Sequence, residues 1–290
     1  MLISHQKWLY LGTLSLVWGS SFILMKRALV GLTPIQVGAL RMVIAGFFLL
    51  IIGYSSIKLI RKDQWKWILI SSLLGTFLPS FMYAYAIKGI DSSIASILNS
   101  ITPFNALWIG ATFFNFNFKK EQLVGIFIGL CGTIVLISQG ATMNPNQNYR
   151  YALLPIISSF GYAFNVNIIK KYLQDLDALA ITVGNFIFII IPALIILFYS
   201  DFSGVFELTS QTETALIYMF ILAIFGTVMA KIIFNKLIQI SSPIFSTSVT
   251  YLIPVVAVIW GVIDGEKLSG IQIIAGLVIL LGVYMVNKKK

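Results

Sequence analysis

Apolar runs of about 20 residues, separated by short polar clusters, follow one another along the whole chain. A helix needs roughly 20 apolar residues to cross the hydrocarbon core of a bilayer. The pattern therefore predicts an all-α integral membrane protein of ten transmembrane helices, with short loops and no room for a separate soluble domain. The predicted spans are residues 8–26, 34–54, 66–87, 93–115, 121–138, 150–169, 178–199, 214–236, 243–263 and 268–286.

Two prolines interrupt this pattern in matching places. Pro103 and Pro254 lie inside long apolar runs, 151 residues apart. A proline in a helix interior removes a backbone hydrogen bond at a cost of about 3 kcal/mol, and in a bilayer it is tolerated where neighbouring helices or water in a cavity satisfy the freed carbonyl. The prolines predict a break in the fourth and ninth helices; the alternative is a pair of packing kinks.

A second recurrence indicates that the chain is an internal duplication. The pair Gly75–Thr76 returns as Gly226–Thr227, again at an offset of 151 residues. The spacing divides the chain into two repeats of five helices, residues 1–145 and 146–290. Because five is an odd number, the second repeat must enter the membrane from the opposite side. We therefore predict an inverted-topology repeat around a central cavity, a plan that is common among secondary transporters.

Composition and charge agree with a membrane protein. Only 10% of the residues are charged and 58% are hydrophobic, whereas soluble domains carry about 25% charged residues. With the N-terminus on the cytoplasmic side, thirteen of the 20 Lys and Arg residues lie on that side and five on the other. This bias predicts a multi-pass protein of the cytoplasmic membrane with both termini in the cytoplasm. The net charge of +10 is then a topology signal, which argues against a nucleic-acid partner.

Several motifs resemble one family of transporters. They are "WGSSF" at 18–22 followed by Lys26, "TP" at 33–34 followed by "LRMVIAG" at 40–46, and "GEKLSGIQIIAGLVILLGV" at 265–283. Their order and spacing are similar to the EamA-type ten-helix branch of the drug/metabolite transporter superfamily, over the whole chain. The resemblance implies two bundled repeats around a central cavity and the export of small metabolites, amino acids or drugs.

Two charged residues lie within the predicted spans, and both are basic. Arg41 is in the second helix and Lys231 in the eighth, while every Asp and Glu falls in a loop or at a helix end. An ionisable residue within a membrane helix is a candidate functional residue, and a cation in a cavity is stabilised by an anionic group, carbonyls or water. We expect a zwitterionic or anionic small-molecule substrate, with amino acids as the leading class. Alternatively, Arg41 pairs with backbone carbonyls and Lys231 extends to the interface.

Amide and aromatic side chains inside the spans are further candidates for substrate binding. A small-molecule site has apolar walls and a few convergent polar groups; packing and hydrogen bonds between helices are the alternative uses of these side chains. The candidates are Trp18, Tyr83, Asn99, Trp108, Asn165 and Tyr251. Glu266 precedes the last helix, where a negative charge complements the helix dipole, so we expect it to cap that helix.

Other classes of protein lack the residues that they need. The chain has one histidine, His5, and one cysteine, Cys131, so neither a His/Cys metal site nor an internal disulfide is expected, and no cofactor. A lipid-acting membrane enzyme, the least favoured alternative, needs an acid, base or metal inside the membrane. Gly125, Gly129 and Gly132, with Gly276 and Gly282, form small-residue faces for scaffold packing or for a homodimer.

These patterns together predict a secondary transporter rather than an enzyme. It exports small metabolites such as amino acids across the cytoplasmic membrane by alternating access. A drug or other solute permease of the same fold is the alternative function.

Overall fold

The computed structural model describes residues 2–115, 120–143, 146–202 and 209–287, and every regular element within these ranges is helical. The prediction of an all-α protein is confirmed at this level. The α-helices are α1 (Leu2–Ala28), α2 (Pro34–Gly53), α3 (Trp65–Ser72), α4 (Leu78–Gly89), α5 (Ser92–Asn99), α6 (Thr102–Phe114), α7 (Lys120–Met143), α8 (Leu153–Tyr172), α9 (Ala178–Tyr199), α10 (Ser210–Ala223), α11 (Ala230–Ile240), α12 (Pro243–Thr247), α13 (Val249–Ile263) and α14 (Gly270–Asn287).

Within the described ranges, eight helical segments are long and apolar enough to cross a membrane, so the chain is a multi-pass membrane protein. The remaining helices, α7 and α14, carry the shorter apolar stretches Phe127–Leu136 and Gly270–Gly282. Large apolar side chains such as Phe198, which is 81% exposed, face outward as lipid-facing residues do. The crossing of the membrane by all ten predicted helices stays a prediction.

Two of the spanning segments contain a short stretch of π-helix. Leu73–Phe77 joins α3 to α4, and Ile224–Met229 joins α10 to α11. These stretches contain the Gly75–Thr76 and Gly226–Thr227 pairs. A π-helical turn inside an α-helix is rare and is frequent at functional sites.

The predicted fourth helix is interrupted where its proline lies. Helix α5 ends at Asn99, and α6 begins at Thr102 after a turn. Pro103 occupies the first turn of α6, where its missing N–H has no intrahelical partner to lose.

The prediction for the ninth helix needs a correction. The interruption lies at Ser248, between α12 and α13, and Pro254 is inside α13. The hydroxyls of Ser246, Thr247 and Ser248 donate to carbonyls three or four residues earlier, at 3.0, 2.9 and 2.6 Å. Such side-chain bonds compete with the helical backbone pattern. They explain why the helix is interrupted at Ser248 and not at Pro254.

The glycine faces of α7 and α14 pack against each other. A Cβ on Gly282 would overlap the backbone of Gly125 and Gly129, and one on Gly132 would overlap Ile279. Close approach of this kind needs residues without a side chain. Gly132 and Gly282 therefore serve the scaffold within one chain, and Gly282 does so against the backbone of Gly125 and Gly129.

Candidate functional site

A cavity lies between helices from both halves of the sequence and contains about 760 Å³ of space not occupied by protein atoms, its opening included. Side chains from α1, α2, α4, α5, α6, α8, α11, α12 and α13 form its wall. They are Trp18, Ser21, Phe22, Met25, Arg41, Tyr83, Asn99, Thr102, Tyr162, Asn165, Val166, Lys231, Phe234, Thr247, Val249, Thr250 and Ile253.

Arg41 reaches the cavity from α2 and binds the π-helical stretch of the other half. Its Nε donates to the Thr227 hydroxyl at 2.7 Å, and its Nη2 donates to the Gly226 carbonyl at 3.2 Å. The Trp18 indole N–H donates to the same carbonyl at 3.0 Å. A π-helical turn leaves backbone carbonyls outside the regular ladder, and Arg41 and Trp18 satisfy this one.

Lys231 makes the corresponding contact in the opposite direction. It is the second residue of α11, directly after the second π-helical stretch, and its ammonium donates to the carbonyl of Gly75 in the first stretch. The same ammonium lies 6.0 Å from the centroid of the Tyr162 ring, at the outer limit of a cation–π contact. Each half therefore contributes one cation to the π-helical turn of the other half.

Asn165 packs directly against the first π-helical stretch. A Cβ placed on Gly75 would overlap the Asn165 side-chain amide, so only glycine leaves room for that amide. The Asn165 Oδ1 accepts a hydrogen bond of 2.6 Å from the Ser71 hydroxyl of α3. This bond holds the amide oxygen of Asn165 toward α3 and fixes the orientation of the amide within the cavity wall.

A second polar group forms at the break between α5 and α6. Because the helix ends at Asn99, the side chains of Asn99 and Thr102 lie together at the cavity wall. The Tyr83 hydroxyl donates to Asn99 Oδ1 at 2.7 Å. The Thr102 hydroxyl donates to the Asn99 backbone carbonyl at 2.7 Å and lies 3.2 Å from the same Oδ1. The ring of Tyr83 contacts Phe22 edge-on, with 5.7 Å between the centroids.

The structure brings six of the eight predicted binding residues together in this cavity: Trp18, Arg41, Tyr83, Asn99, Asn165 and Lys231. Trp108 lies outside it, is 44% exposed and packs edge-on against Phe160. Thr102, Asn105 and Ile109 lie at intervals of three and four residues and form a buried face of α6. Trp108 does not belong to this face.

Tyr251 is likewise not part of the cavity wall, because its neighbours Thr250 and Ile253 face the cavity and Tyr251 packs against the main hydrophobic core. The wall residues beyond these six are either apolar, such as Phe234, or carry a hydroxyl group, such as Thr102. The Gly75 and Gly226 carbonyls are backbone groups, which residue type does not reveal. The repeated Gly–Thr pair was the available signal for the two carbonyls.

A network of ion pairs lies where α1 ends and α5 begins. The Lys26 ammonium is 2.7 Å from Asp264 Oδ2 and 2.8 Å from Glu266 Oε1, and Arg27 contacts Asp264. Glu266 also accepts hydrogen bonds of 3.1 Å from the backbone N–H groups of Ser92 and Ser93. These contacts connect three segments that are distant in the sequence.

Glu266 therefore caps a different helix from the one predicted. It neutralises the positive end of α5, whereas Ser269 and Gln272 cap α14. Burial opposes ionisation of Glu266, but hydrogen bonds from Lys26, Ser92 and Ser93 outweigh it and hold the pKa of Glu266 below its ordinary value. In the described residues, no three His, Cys, Asp or Glu side chains form a group that could hold a metal ion.

Comparison with known proteins places this architecture among transporters. The model of the EamA-like transporter family matches the chain twice, at residues 6–138 and 150–288. The chain is 26% identical to the uncharacterized inner membrane transporter YedA of Escherichia coli K12, over 96% of this chain and 89% of that protein.

Two further relatives have names that mention a substrate. The S-adenosylmethionine/S-adenosylhomocysteine transporter of Chlamydia muridarum is 25% identical, over 91% of this chain and 86% of that protein. The probable amino-acid metabolite efflux pump of Salmonella typhimurium is 23% identical, over 93% and 90%. A solved structure titled "Crystal structure of protein" shares the fold, with a TM-score of 0.64 and 17% identity over 97% of this chain and 96% of that one.

Proposed function

The chain belongs to the EamA-like transporter family, and on this basis we propose that it exports small metabolites carrying a carboxylate or another anionic group. Amino acids and their derivatives belong to this class. The observation that carries the proposal is the pair Arg41 and Lys231, whose side chains both reach one cavity between the two halves of the sequence. A substrate anion is the partner that would stabilise these charges inside a membrane protein.

Alternating access between two inverted five-helix repeats, residues 1–145 and 146–290, is the proposed mechanism. Three observations support this arrangement of ten helices. The family model matches once in each half, a π-helical stretch recurs in each half at an offset of 151 residues, and an interrupted helix recurs at α5–α6 and α12–α13. Two such repeats rocking against each other would expose the cavity to one side at a time.

We also propose that both termini face the cytoplasm. The support is the distribution of Lys and Arg, thirteen on the side of the N-terminus against five on the other.

Among the described residues, no carboxylate belongs to the cavity wall. A proton relay inside the cavity would therefore need another type of group. A homodimer, the other use predicted for the glycine faces, stays a prediction.

A drug or other solute permease of the same fold is the second candidate. The aromatic and apolar wall formed by residues such as Trp18, Phe22 and Phe234 favours it, because an uncharged apolar compound would bind there without engaging the cations. The two candidates differ in whether transport depends on the charge of Lys231.

The test compares cells that produce the intact protein, Lys231→Met or Lys236→Met at matched levels in the membrane. Lys236 lies on the same helix, α11, and is exposed, so it controls for the loss of a lysine. All small metabolites in the medium are quantified. We expect a carboxylate-bearing compound to accumulate with the intact protein and with Lys236→Met, and to fall by about tenfold or more with Lys231→Met, because a charge-assisted hydrogen bond is lost.

The other outcomes separate the candidates. Equal release of an uncharged compound by all three proteins supports the solute permease and overturns the role of Lys231. If no compound in the medium depends on the protein, export is contradicted.

A further inference from the structure

The cavity has more hydrogen-bond donors than its own residues use. Arg41 carries five N–H groups and Lys231 carries three; their contacts with Thr227, Gly226 and Gly75 use two and one of them. The remaining N–H groups belong to the two cations of a cavity whose described wall includes no carboxylate. A bound molecule can therefore receive several charge-assisted hydrogen bonds, provided that it is an acceptor.

The amide groups of the wall add further donors. Asn99 Oδ1 already accepts from the Tyr83 hydroxyl at 2.7 Å, whereas the single hydrogen of the Thr102 hydroxyl has its closer acceptor in the Asn99 backbone carbonyl, at 2.7 Å against 3.2 Å to Oδ1. Asn165 Oδ1 accepts from Ser71. Each amide oxygen thus accepts a hydrogen bond from a protein hydroxyl. The groups that Asn99 and Asn165 add for a ligand are therefore mainly their Nδ2–H donors.

The hydroxyl groups are weak partners for a positive charge. Ser21 donates its hydrogen to the Val17 carbonyl at 2.8 Å, and Thr250 donates to the Thr247 carbonyl at 2.8 Å. Their oxygens remain as acceptors, but they are neutral and share the cavity with two cations. An ammonium group in this space would therefore exchange its hydration for neutral acceptors and for repulsion by Arg41 and Lys231.

The rest of the wall fits an apolar body. Trp18 packs edge-on against Phe234 with 4.9 Å between the ring centroids, and Tyr83 and Tyr162 lie nearly parallel at 6.2 Å. Val166 and Ile253 complete the apolar surface. Such walls bind hydrocarbon or aromatic groups, while the few polar groups fix the orientation of the ligand.

Resting on the proposed export function, we propose that this cavity selects organic molecules of net negative charge that combine an anionic head with an apolar or aromatic body and lack a free ammonium group. N-acylated amino acids and 2-oxo acids have this chemistry. Free amino acids, which are zwitterions, have the head but also carry the ammonium group that the cavity does not accommodate.

The first experiment uses the purified full chain in lipid vesicles loaded with one of two probes. N-acetylphenylalanine carries a net negative charge, and phenylalanine has the same ring and carboxylate with a free ammonium group. We expect protein-dependent efflux of N-acetylphenylalanine to be at least about tenfold faster than that of phenylalanine. Phenylpyruvate, which also lacks the ammonium group, should follow N-acetylphenylalanine.

Asn99→Asp tests the proposed selectivity against an ammonium group by placing a negative charge in the cavity wall. The new carboxylate keeps the side-chain acceptor for Tyr83, leaves the backbone carbonyl that accepts from Thr102, and replaces only the Nδ2 donor by a negatively charged oxygen. We expect the ratio of N-acetylphenylalanine efflux to phenylalanine efflux to fall by about tenfold. Asn99→Leu, which removes the polar group without adding a charge, should slow both probes and leave the ratio within about twofold.

The outcomes distinguish this inference from the export function itself. Faster efflux of phenylalanine than of N-acetylphenylalanine overturns the inference and leaves export standing. If neither probe moves but the medium of producing cells contains a protein-dependent neutral or cationic compound, export stands, but the inference and the anionic substrate class of the proposed function both fail. If neither probe moves and no compound in the medium depends on the protein, both proposals fail. An unchanged ratio in Asn99→Asp also counts against the inference.

Discussion

Arg41 and Lys231 each have a protein partner in the cavity, so they have a structural role as well as the proposed role in binding. Arg41 bonds Gly226 and Thr227, and Lys231 bonds Gly75. The sequence left open whether Arg41 pairs with carbonyls or binds substrate, and the geometry allows both, because each side chain retains N–H groups. A substrate anion would bind the N–H groups that these contacts leave free. It would not have to displace a carboxylate of the protein, because the partners of both cations are backbone carbonyls and a hydroxyl.

Glu266 gives a prediction about stability and pH. Its pKa lies below the ordinary value because hydrogen bonds from Lys26, Ser92 and Ser93 outweigh the effect of burial. A carboxylate with a depressed pKa stabilises the fold above its unfolded-state pKa, and this stabilisation is lost as the pH falls through the folded-state pKa. We expect Glu266→Gln to lower the Tm of the detergent-solubilised protein by at least about 3 °C at about pH 7.

The pH series provides the control. As the pH falls from about 5 to about 3, the intact protein should lose Tm more steeply than Glu266→Gln, and the two values should converge below the folded-state pKa. Burial raises the pKa of Asp91, and the charge of Glu266 raises it further. The effect of burial is common to both proteins, whereas the part due to Glu266 is lost in Glu266→Gln and opposes the main trend. A constant difference in Tm across this range would contradict the assignment.

At the scale of elements, the π-helical stretches explain why the two Gly–Thr pairs recur. Gly226 packs against Ser21 of α1, and Gly75 packs against Asn165 of α8. In both cases the absent side chain lets another helix approach the turn whose carbonyl binds a cation. The glycines thus serve the close approach, and the turns supply the carbonyls.

Gly75→Ala should disturb the cavity through Asn165. The added methyl group overlaps the Asn165 amide, and overpacking of this kind costs about 1–3 kcal/mol. We expect the efflux rate to fall by about tenfold in Gly75→Ala. In an Asn165→Ala background the same change should have little further effect, because the overlapping atoms are gone.

The measurement is a double-mutant cycle of efflux rates with the four proteins in vesicles at equal density. If Gly75→Ala lowers the rate equally in both backgrounds, the effect comes from the π-helical backbone itself and not from the amide. Gly129→Ala is a suitable control, since a Cβ there meets no atom within 4 Å.

Some of these elements were predictable from the sequence, and the reasons differ. The helices and the charged residues Arg41 and Lys231 follow from hydropathy, because a charge inside an apolar run is conspicuous. The backbone partners Gly75 and Gly226 do not, since hydropathy does not report a change of one residue in hydrogen-bond register. The contact between Glu266 and Ser92 joins residues 174 positions apart, and only the folded chain brings them together.

At the scale of the whole molecule, the cation contacts are reciprocal. Arg41 belongs to the half that precedes residue 146 and binds the π-helical turn after it, and Lys231 does the reverse. A ligand that bound the remaining N–H groups of both cations would add a further link between the two halves. Occupancy of the cavity and the packing of the halves would then be coupled, which is what alternating access requires of a substrate.

The inverted repeat predicts which residues face each side of the membrane. Two exposed residues mark the ends of the segment Trp65–Gly89: Lys62, which lies just before it, and Lys88 near its end. In the counterpart segment Ser210–Ile240, Glu213 marks the first end and Lys236 the second. At 1.5 Å per residue each is long enough to span a bilayer of about 30 Å. In an inverted repeat the two segments point in opposite directions, so positions 88 and 213 lie outside and positions 62 and 236 lie inside.

Single-cysteine variants test this arrangement in intact cells. Lys62→Cys, Lys88→Cys, Glu213→Cys and Lys236→Cys are made in a Cys131→Ser background, because Cys131 is exposed; all four positions are exposed as well. A membrane-impermeant maleimide should label positions 88 and 213 directly and positions 62 and 236 only after the cells are permeabilised. Labelling of 62 and 236 instead would reverse the orientation and keep the inverted repeat. Labelling of 88 together with 236 would mean that the two segments run parallel, and the inverted repeat would have to be abandoned.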